Sequence, residues 1–146
     1  MRIYRIELTT GGGPYNPESC DCPGECKCNA AERTHLSARI ADEHCGSKWP
    51  TTYADEVMDG SADSLGEALF NRTGGRERAM WRHGFDSHYA LAEWFSGWAA
   101  ELQEAEYVVS TYDVPPKEVI RGMAQVVFNP KAATLIDLQY PTEVFW

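Results

Sequence analysis

The stretch "LAEWFSGWAAEL", residues 91–102, carries the most regular apolar pattern in the chain. Its apolar side chains recur at the spacing of one helix face: Leu91, Trp94, Phe95, Trp98 and Leu102. Asp86 or Ser87, just before the run, is of a type that caps helices. We therefore predict one long amphipathic helix whose aromatic stripe packs into the core. The alternative is that the stripe lines a ligand site.

Strand-like segments lie on both sides of this helix. Residues 2–8 alternate between two faces, whereas residues 106–114 and 118–128 are rich in β-branched residues. A pair of prolines separates the last two runs, and a final short strand is expected within residues 129–140. The sequence thus predicts one strand before the long helix and several after it.

Two shorter helices are expected between the first strand and the long helix, over residues 30–43 and 62–70. The second has Ser61 as its expected cap, with Phe70 facing inward. This order of elements predicts an α+β fold. We expect a single domain over residues 1–146, with a mostly antiparallel sheet packed on one long amphipathic helix. Residues 19–46 would form an inserted Cys-rich loop and helix.

The chain is acidic, with 13 Lys and Arg against 22 Asp and Glu and a net charge of -9. Binding to a phosphate backbone relies on basic side chains, so a nucleic-acid partner is not expected. A basic protein surface suits this charge better, although acidity also serves solubility alone. The N-terminal residues do not form a signal peptide, and no apolar run is long enough for a membrane span. We therefore expect a cytoplasmic protein.

Four of the five cysteines lie in "CDCPGECKC", residues 20–28: Cys20, Cys22, Cys26 and Cys28. If this segment forms a tight hairpin about Pro23-Gly24-Glu25, their even spacing puts all four side chains on one face. Four converging thiolates are a ligand set of structural zinc, and the cytoplasm keeps thiols reduced. A structural zinc site is the leading interpretation, with free or redox-active thiols and oxidative cross-links as alternatives. His35, His44 or Cys45 would be able to replace one or two of the four.

Two other motifs carry weaker signals. His83 and His88 flank "GFDS", but neighbours in sequence do not make a catalytic triad, and helix capping explains Asp86 and Ser87 better. "GGG", residues 11–13, follows a strand as a phosphate loop does. It lacks the Lys-Ser/Thr pair of a P-loop, so it does not identify one.

Four segments together have a familiar layout: "YRIE" followed by "GGGPY", then "HGFDS…LAEWF", "YVVSTYDVP" and "GMAQVVFNP". The layout resembles that of small, mostly uncharacterised bacteriophage accessory proteins. The resemblance covers the first 15 residues and roughly residues 83–130, and leaves out the cysteine loop. It implies a host-takeover or anti-defence factor.

The same segments also resemble, more faintly, the two ends of an ADP-ribosyltransferase fold. In that family an Arg in the first strand holds NAD phosphates, and a late strand that begins with Gln supplies a catalytic Glu. Arg5 and Gln125 match the first two positions, whereas Val127 stands where the Glu belongs. An isopropyl group cannot stabilise an oxocarbenium-like centre. The resemblance implies a pocket for a nucleotide-type ligand lined by Arg5 and Gln125; the alternative is that both are ordinary strand residues.

The leading hypothesis is a non-enzymatic phage accessory protein that binds a host protein or a nucleotide signal of host defence. One alternative is an ADP-ribosyltransferase-like, NAD-binding enzyme or pseudoenzyme. The other is a zinc-stabilised adaptor domain. No catalytic residue is assigned.

Overall fold

A computed structural model describes residues 1–15, 30–45, 49–75 and 80–145. The described part has an α+β architecture, as predicted. Its strands are β1 (Arg2–Glu7), β2 (Arg82–Gly84), β3 (Val108–Asp113), β4 (Val119–Arg121), β5 (Val126–Phe128) and β6 (Thr134–Gln139). Its α-helices are α1 (Ala30–Glu43), α2 (Leu65–Thr73), α3 (His88–Trp94), α4 (Ala99–Glu104) and α5 (Pro141–Val144).

The strands form two three-stranded antiparallel sheets, with the orders β1-β3-β6 and β2-β5-β4. Tyr4 and Phe85 join the sheets through two backbone hydrogen bonds, each 2.8 Å long. The junction brings β1 beside β2, although almost eighty residues separate them in the chain. This proximity determines which side chains meet at the candidate site.

The predicted long helix is wrong, because the segment folds as two short helices, α3 and α4. Ser87 caps the first, since its Oγ accepts a hydrogen bond from the Ala90 N–H at 3.0 Å. Gly97 then takes a φ of 86°, in the left-handed region that glycine adopts without a steric penalty. The Gly97 turn therefore ends the helical run before it restarts at Ala99.

The broken helix still delivers most of its apolar residues to one core. This core joins both helices to α1 and to the first sheet, and its buried residues include Ile6, Ile40, Leu91, Phe95, Trp98, Leu102, Tyr107 and Val109. Trp94 departs from the prediction, because it is only partly buried at the edge of this core. Its indole is thus available to the neighbouring cavity.

The two shorter helices differ in how well the sequence predicted them. α1 has the predicted bounds, and Leu36 and Ile40 are buried as expected. α2 begins later than predicted, because Ser64 rather than Ser61 accepts the capping hydrogen bond, from the Glu67 N–H at 3.1 Å. Phe70, expected to face inward, exposes 50% of its surface.

Within the described ranges, no helix is long and apolar enough to cross a membrane.

β6 is an edge strand, since among the described strands it pairs with β3 alone. Its pairing register shifts between Thr111 and Tyr112 of β3, which marks a bulge or irregularity. Leu135, Ile136 and Leu138 expose 48%, 43% and 48% of their surfaces. The strand therefore leaves apolar side chains exposed beside a sheet edge that no other described strand covers.

Candidate functional site

A cavity of about 430 Å³ lies where the two sheets meet. Arg5 of β1 and Gln125, which directly precedes β5, both line it. The structure thus brings together the two residues that the sequence pointed to. Their role in binding a ligand stays a prediction.

Arg5 is held in place by two hydrogen bonds. Its Nε donates to Glu7 Oε2 at 2.9 Å, and its Nη1 donates to the His83 carbonyl at 2.6 Å. The Arg5 side chain is only 16% exposed. Burial lowers the pKa of Arg5, against the opposing effect of the Glu7 carboxylate. The guanidinium is therefore a fixed cation in the cavity wall.

Glu7 is the buried counter-ion of this region. It is 2% exposed and also lies 3.5 Å from Arg82 Nη1. The Tyr112 hydroxyl donates a hydrogen bond to the same carboxylate. Desolvation, and then Glu7, raise the pKa of Tyr112 to about 12, so its hydroxyl keeps its proton. Within this cluster of described residues, Arg5 and Arg82 thus share one carboxylate and leave a surplus positive charge.

Four of the aromatic side chains that line this cavity, which we call the aromatic cavity, are linked by ring contacts and hydrogen bonds: Tyr15, His44, Trp49 and Trp94. The His44 and Trp49 rings are stacked, with centroids 4.7 Å apart and planes at 16°. Trp49 Nε1 donates to the Trp94 carbonyl at 3.0 Å, and Trp94 Nε1 donates to the Tyr15 hydroxyl at 2.7 Å. That hydroxyl also forms a hydrogen bond with His44 Nδ1. These bonds fix the rings relative to one another.

The Tyr15 hydroxyl stays protonated at physiological pH. Desolvation raises the pKa of Tyr15 to about 12. Across the cavity, His83 Nε2 lies 2.7 Å from Thr52 Oγ1. Desolvation and then the charge of Arg5 lower the pKa of the His83 imidazole. Both groups are therefore mainly neutral near pH 7, and Arg5 supplies the charge.

Gln125 is positioned by its side chain and by the turn before it. Its Nε2 donates to the Pro50 carbonyl at 3.1 Å. Asp55 accepts from the backbone N–H groups of Met123 at 2.9 Å and of Gln125 at 3.1 Å, and also from that of the residue between them. Desolvation raises the pKa of Asp55, although these donors favour its ionised form. The carboxylate thus fixes the turn that presents Gln125.

Gly122 allows the turn that carries Gln125 to pack closely against Asp55. A Cβ at Gly122 would lie 2.5 Å from Asp55 Oδ2, which no side chain tolerates without a shift. The glycine in "GMAQ" is therefore required by the buried carboxylate. Sequence reasoning did not identify Asp55, because seventy residues separate it from Gln125.

Val127 is fully buried in a small core with Leu69 and Trp81. The position that the ADP-ribosyltransferase resemblance assigns to a catalytic Glu therefore contributes to packing. Among the described residues, no Asp or Glu lines the aromatic cavity. The aromatic cavity therefore presents aromatic rings together with the polar side chains of Arg5 and Gln125.

The predicted zinc ligands Cys20, Cys22, Cys26 and Cys28 lie outside the described residues, so the zinc site stays a prediction. In the described part of the chain, no group of three or more His, Cys, Asp or Glu is arranged to hold a metal ion. Cys45 is exposed.

Sequence reasoning missed most of the aromatic cavity. Trp49 and His44 come from the segment around α1, Tyr15 follows the glycine-rich turn, and Trp94 had been assigned to the core. One sequence signal for these residues is that "GGGPY" and "KWP" each place an aromatic residue beside a proline, which favours turns.

A comparison with known proteins identifies a family for this chain but finds no individual protein that matches it. No curated protein and no solved structure matches this chain, and no resemblance to ADP-ribosyltransferases is found. A family model described as "Bacteriophage T4 Y00F protein" matches residues 1–141, which include the middle of the chain as well as both ends of the resemblance. Since the match covers all but the last five of the 146 residues, this chain belongs to the Bacteriophage T4 Y00F protein family.

Proposed function

We propose that this phage protein is a non-enzymatic accessory protein that binds a nucleotide-type small molecule in the aromatic cavity. As an anti-defence factor, it would sequester a nucleotide signal of the host. The observation that carries the proposal is the set of four aromatic rings beside Arg5 and Gln125. Such a cavity offers a base both stacking surfaces and polar contacts.

Stacking supplies the main attraction in this proposal. Every nucleobase has a π-face, and stacking on an aromatic side chain contributes about 1–3 kcal/mol per base. The rings of Trp49 and Trp94 are held by hydrogen bonds, so little side-chain freedom is lost on binding. The volume of about 430 Å³ is in the usual range for small-molecule sites, about 300–1,000 Å³.

In this proposal, Gln125 and Arg5 orient the ligand through polar contacts. Because Gln125 Nε2 donates to the Pro50 carbonyl, Oε1 is the end of the amide suited to accept from a base amino group. Arg5 presents the fixed positive charge of the wall. The proposal excludes NAD turnover, because an oxocarbenium-like centre needs a carboxylate and Val127 is buried in its place.

Calorimetric titration of the purified protein with mononucleotides and cyclic dinucleotides tests this function. We expect at least one to bind, and Trp49→Ala to weaken that binding by roughly tenfold or more through lost stacking. Gln125→Ala should weaken it and change the preference among bases. Tyr89→Ala, which removes an aromatic residue that is 76% exposed and lies outside the cavity lining, is the matched control.

The absence of any nucleotide affinity would overturn the proposal, as would equal affinity in the Trp49→Ala and Tyr89→Ala variants. A pull-down from infected cells with mass spectrometry adds a second readout. A stoichiometric host protein, with no co-purified nucleotide, would favour the alternative that the factor binds a protein.

A further inference from the structure

A second depression, of about 680 Å³, adjoins the aromatic cavity. We call it the arginine groove, because Arg5 and Arg82 line it together with the glycine turn at residues 11–13. It shares Arg5, Gly13, Thr52 and His83 with the aromatic cavity. The two depressions are therefore neighbours with part of their walls in common, as a ligand with a ring and a second group requires.

The charge in the groove is positive, although the protein as a whole carries -9. Arg82 is 37% exposed along its side chain, and its Nη1 lies 3.5 Å from Glu7 Oε2, near the outer limit for an ion pair. Glu7 already accepts a 2.9 Å hydrogen bond from Arg5. Among the described residues, no carboxylate lines the groove. Arg82 is thus a partly exposed cation that shares its carboxylate partner with Arg5.

The glycine turn lets backbone approach both guanidinium groups. A Cβ at Gly11 would lie 3.3 Å from Arg82 Nη2, and a Cβ at Gly13 would lie 3.0 Å from Arg5 Nη2. Gly11 also has a φ of 106°, which other residues rarely adopt. Larger side chains here would displace the arginines, so the turn keeps the groove open beside them.

We propose that the arginine groove binds a phosphate group of the ligand whose base occupies the aromatic cavity. The ligand class is then a phosphorylated nucleotide, and neither a nucleoside nor a free base. A guanidinium pairs with phosphate through two parallel N–H···O bonds, and Arg82 has the exposure to form them. This inference rests on the proposed function, because it assumes that the base lies in the aromatic cavity.

The test compares a nucleoside, its 5′-monophosphate and inorganic phosphate by calorimetry, for each common base. We expect the monophosphate to bind at least roughly tenfold more tightly than the nucleoside, as a lost charged hydrogen bond implies. Arg82→Gln should remove most of that difference and leave nucleoside affinity unchanged. The difference should also shrink as salt is raised. Arg121→Gln, which removes an arginine from an ion pair with Asp86 outside both depressions, is the control.

Equal affinity for nucleoside and monophosphate in the wild type would overturn the inference. So would an Arg82→Gln variant that keeps its wild-type melting temperature and loses affinity for both ligands equally. If this variant unfolds, Arg82→Lys should keep the fold and retain part of the difference, because it keeps the charge without the bidentate geometry. Failure of the proposed function appears separately, as nucleoside affinity that is absent or insensitive to Trp49→Ala. Phosphate binding that depends on Arg82 would still support the groove.

Discussion

Asp55 decides the shape of the turn that carries Gln125. Its carboxylate is 2% exposed and accepts three backbone N–H groups. Asp55→Ala leaves these donors without their acceptor, so we expect the free energy of unfolding to fall by about 2–4 kcal/mol. Urea denaturation measures this change. Asp63→Ala, at an exposed position, should stay within about 0.5 kcal/mol of wild type. If Asp55→Ala is as stable as this control, the Asp55 carboxylate does not hold the turn that carries Gln125.

The two tryptophans of the broken helix should behave differently when truncated. Trp98 is 7% exposed in the main core, whereas Trp94 is partly buried and lines the aromatic cavity. Trp98→Ala should lower the free energy of unfolding by roughly 3–5 kcal/mol, because it leaves a core cavity. Trp94→Ala should cost less stability and should weaken nucleotide binding. Thermal melts paired with calorimetry separate the effects, and the reverse order would contradict this division of roles.

The cysteine segment carries the prediction of structural zinc. Protein purified without chelator should contain about one zinc per chain, bound by Cys20, Cys22, Cys26 and Cys28 or by three of these with a neighbouring ligand. Elemental analysis measures the metal, and the Cys22→Ser/Cys26→Ser variant should lose it. Cys45→Ser tests whether Cys45 replaces one of the four cysteines, since that variant would then lose zinc as well. Folded protein with well under half an equivalent of zinc would favour free thiols or cross-links.

Elements whose signals are local were predictable from the sequence, and elements that depend on distant pairing were not. α1 has its predicted bounds because its apolar spacing lies within one segment. The break at Gly97 was missed because apolar periodicity continues across it, although the glycine itself was the sign of a stop. The meeting of the two sheets depends on the Tyr4–Phe85 bridge, which no local pattern encodes.

The same distinction holds for the whole molecule and its candidate site. Arg5 and Gln125 were identified through a resemblance, and the fold brings them to one cavity. The rings around them come from four separate places in the chain: Tyr15, His44, Trp49 and Trp94. No spacing rule relates such residues, because their meeting is a product of tertiary structure. The grouping of these aromatic residues around Arg5 and Gln125 could therefore be identified only from the fold.

The exposed edge strand β6 makes the protein prone to aggregation. An open edge strand with exposed leucine and isoleucine side chains is a template on which another chain can add a strand and start an aggregate. The irregular register and the charge of Asp137 oppose such stacking, as gatekeepers do. The net charge of -9 also keeps copies apart, but only while little salt screens it. Because salt also screens the exposed Asp137, protection against aggregation at high ionic strength depends more on the irregular pairing of this strand.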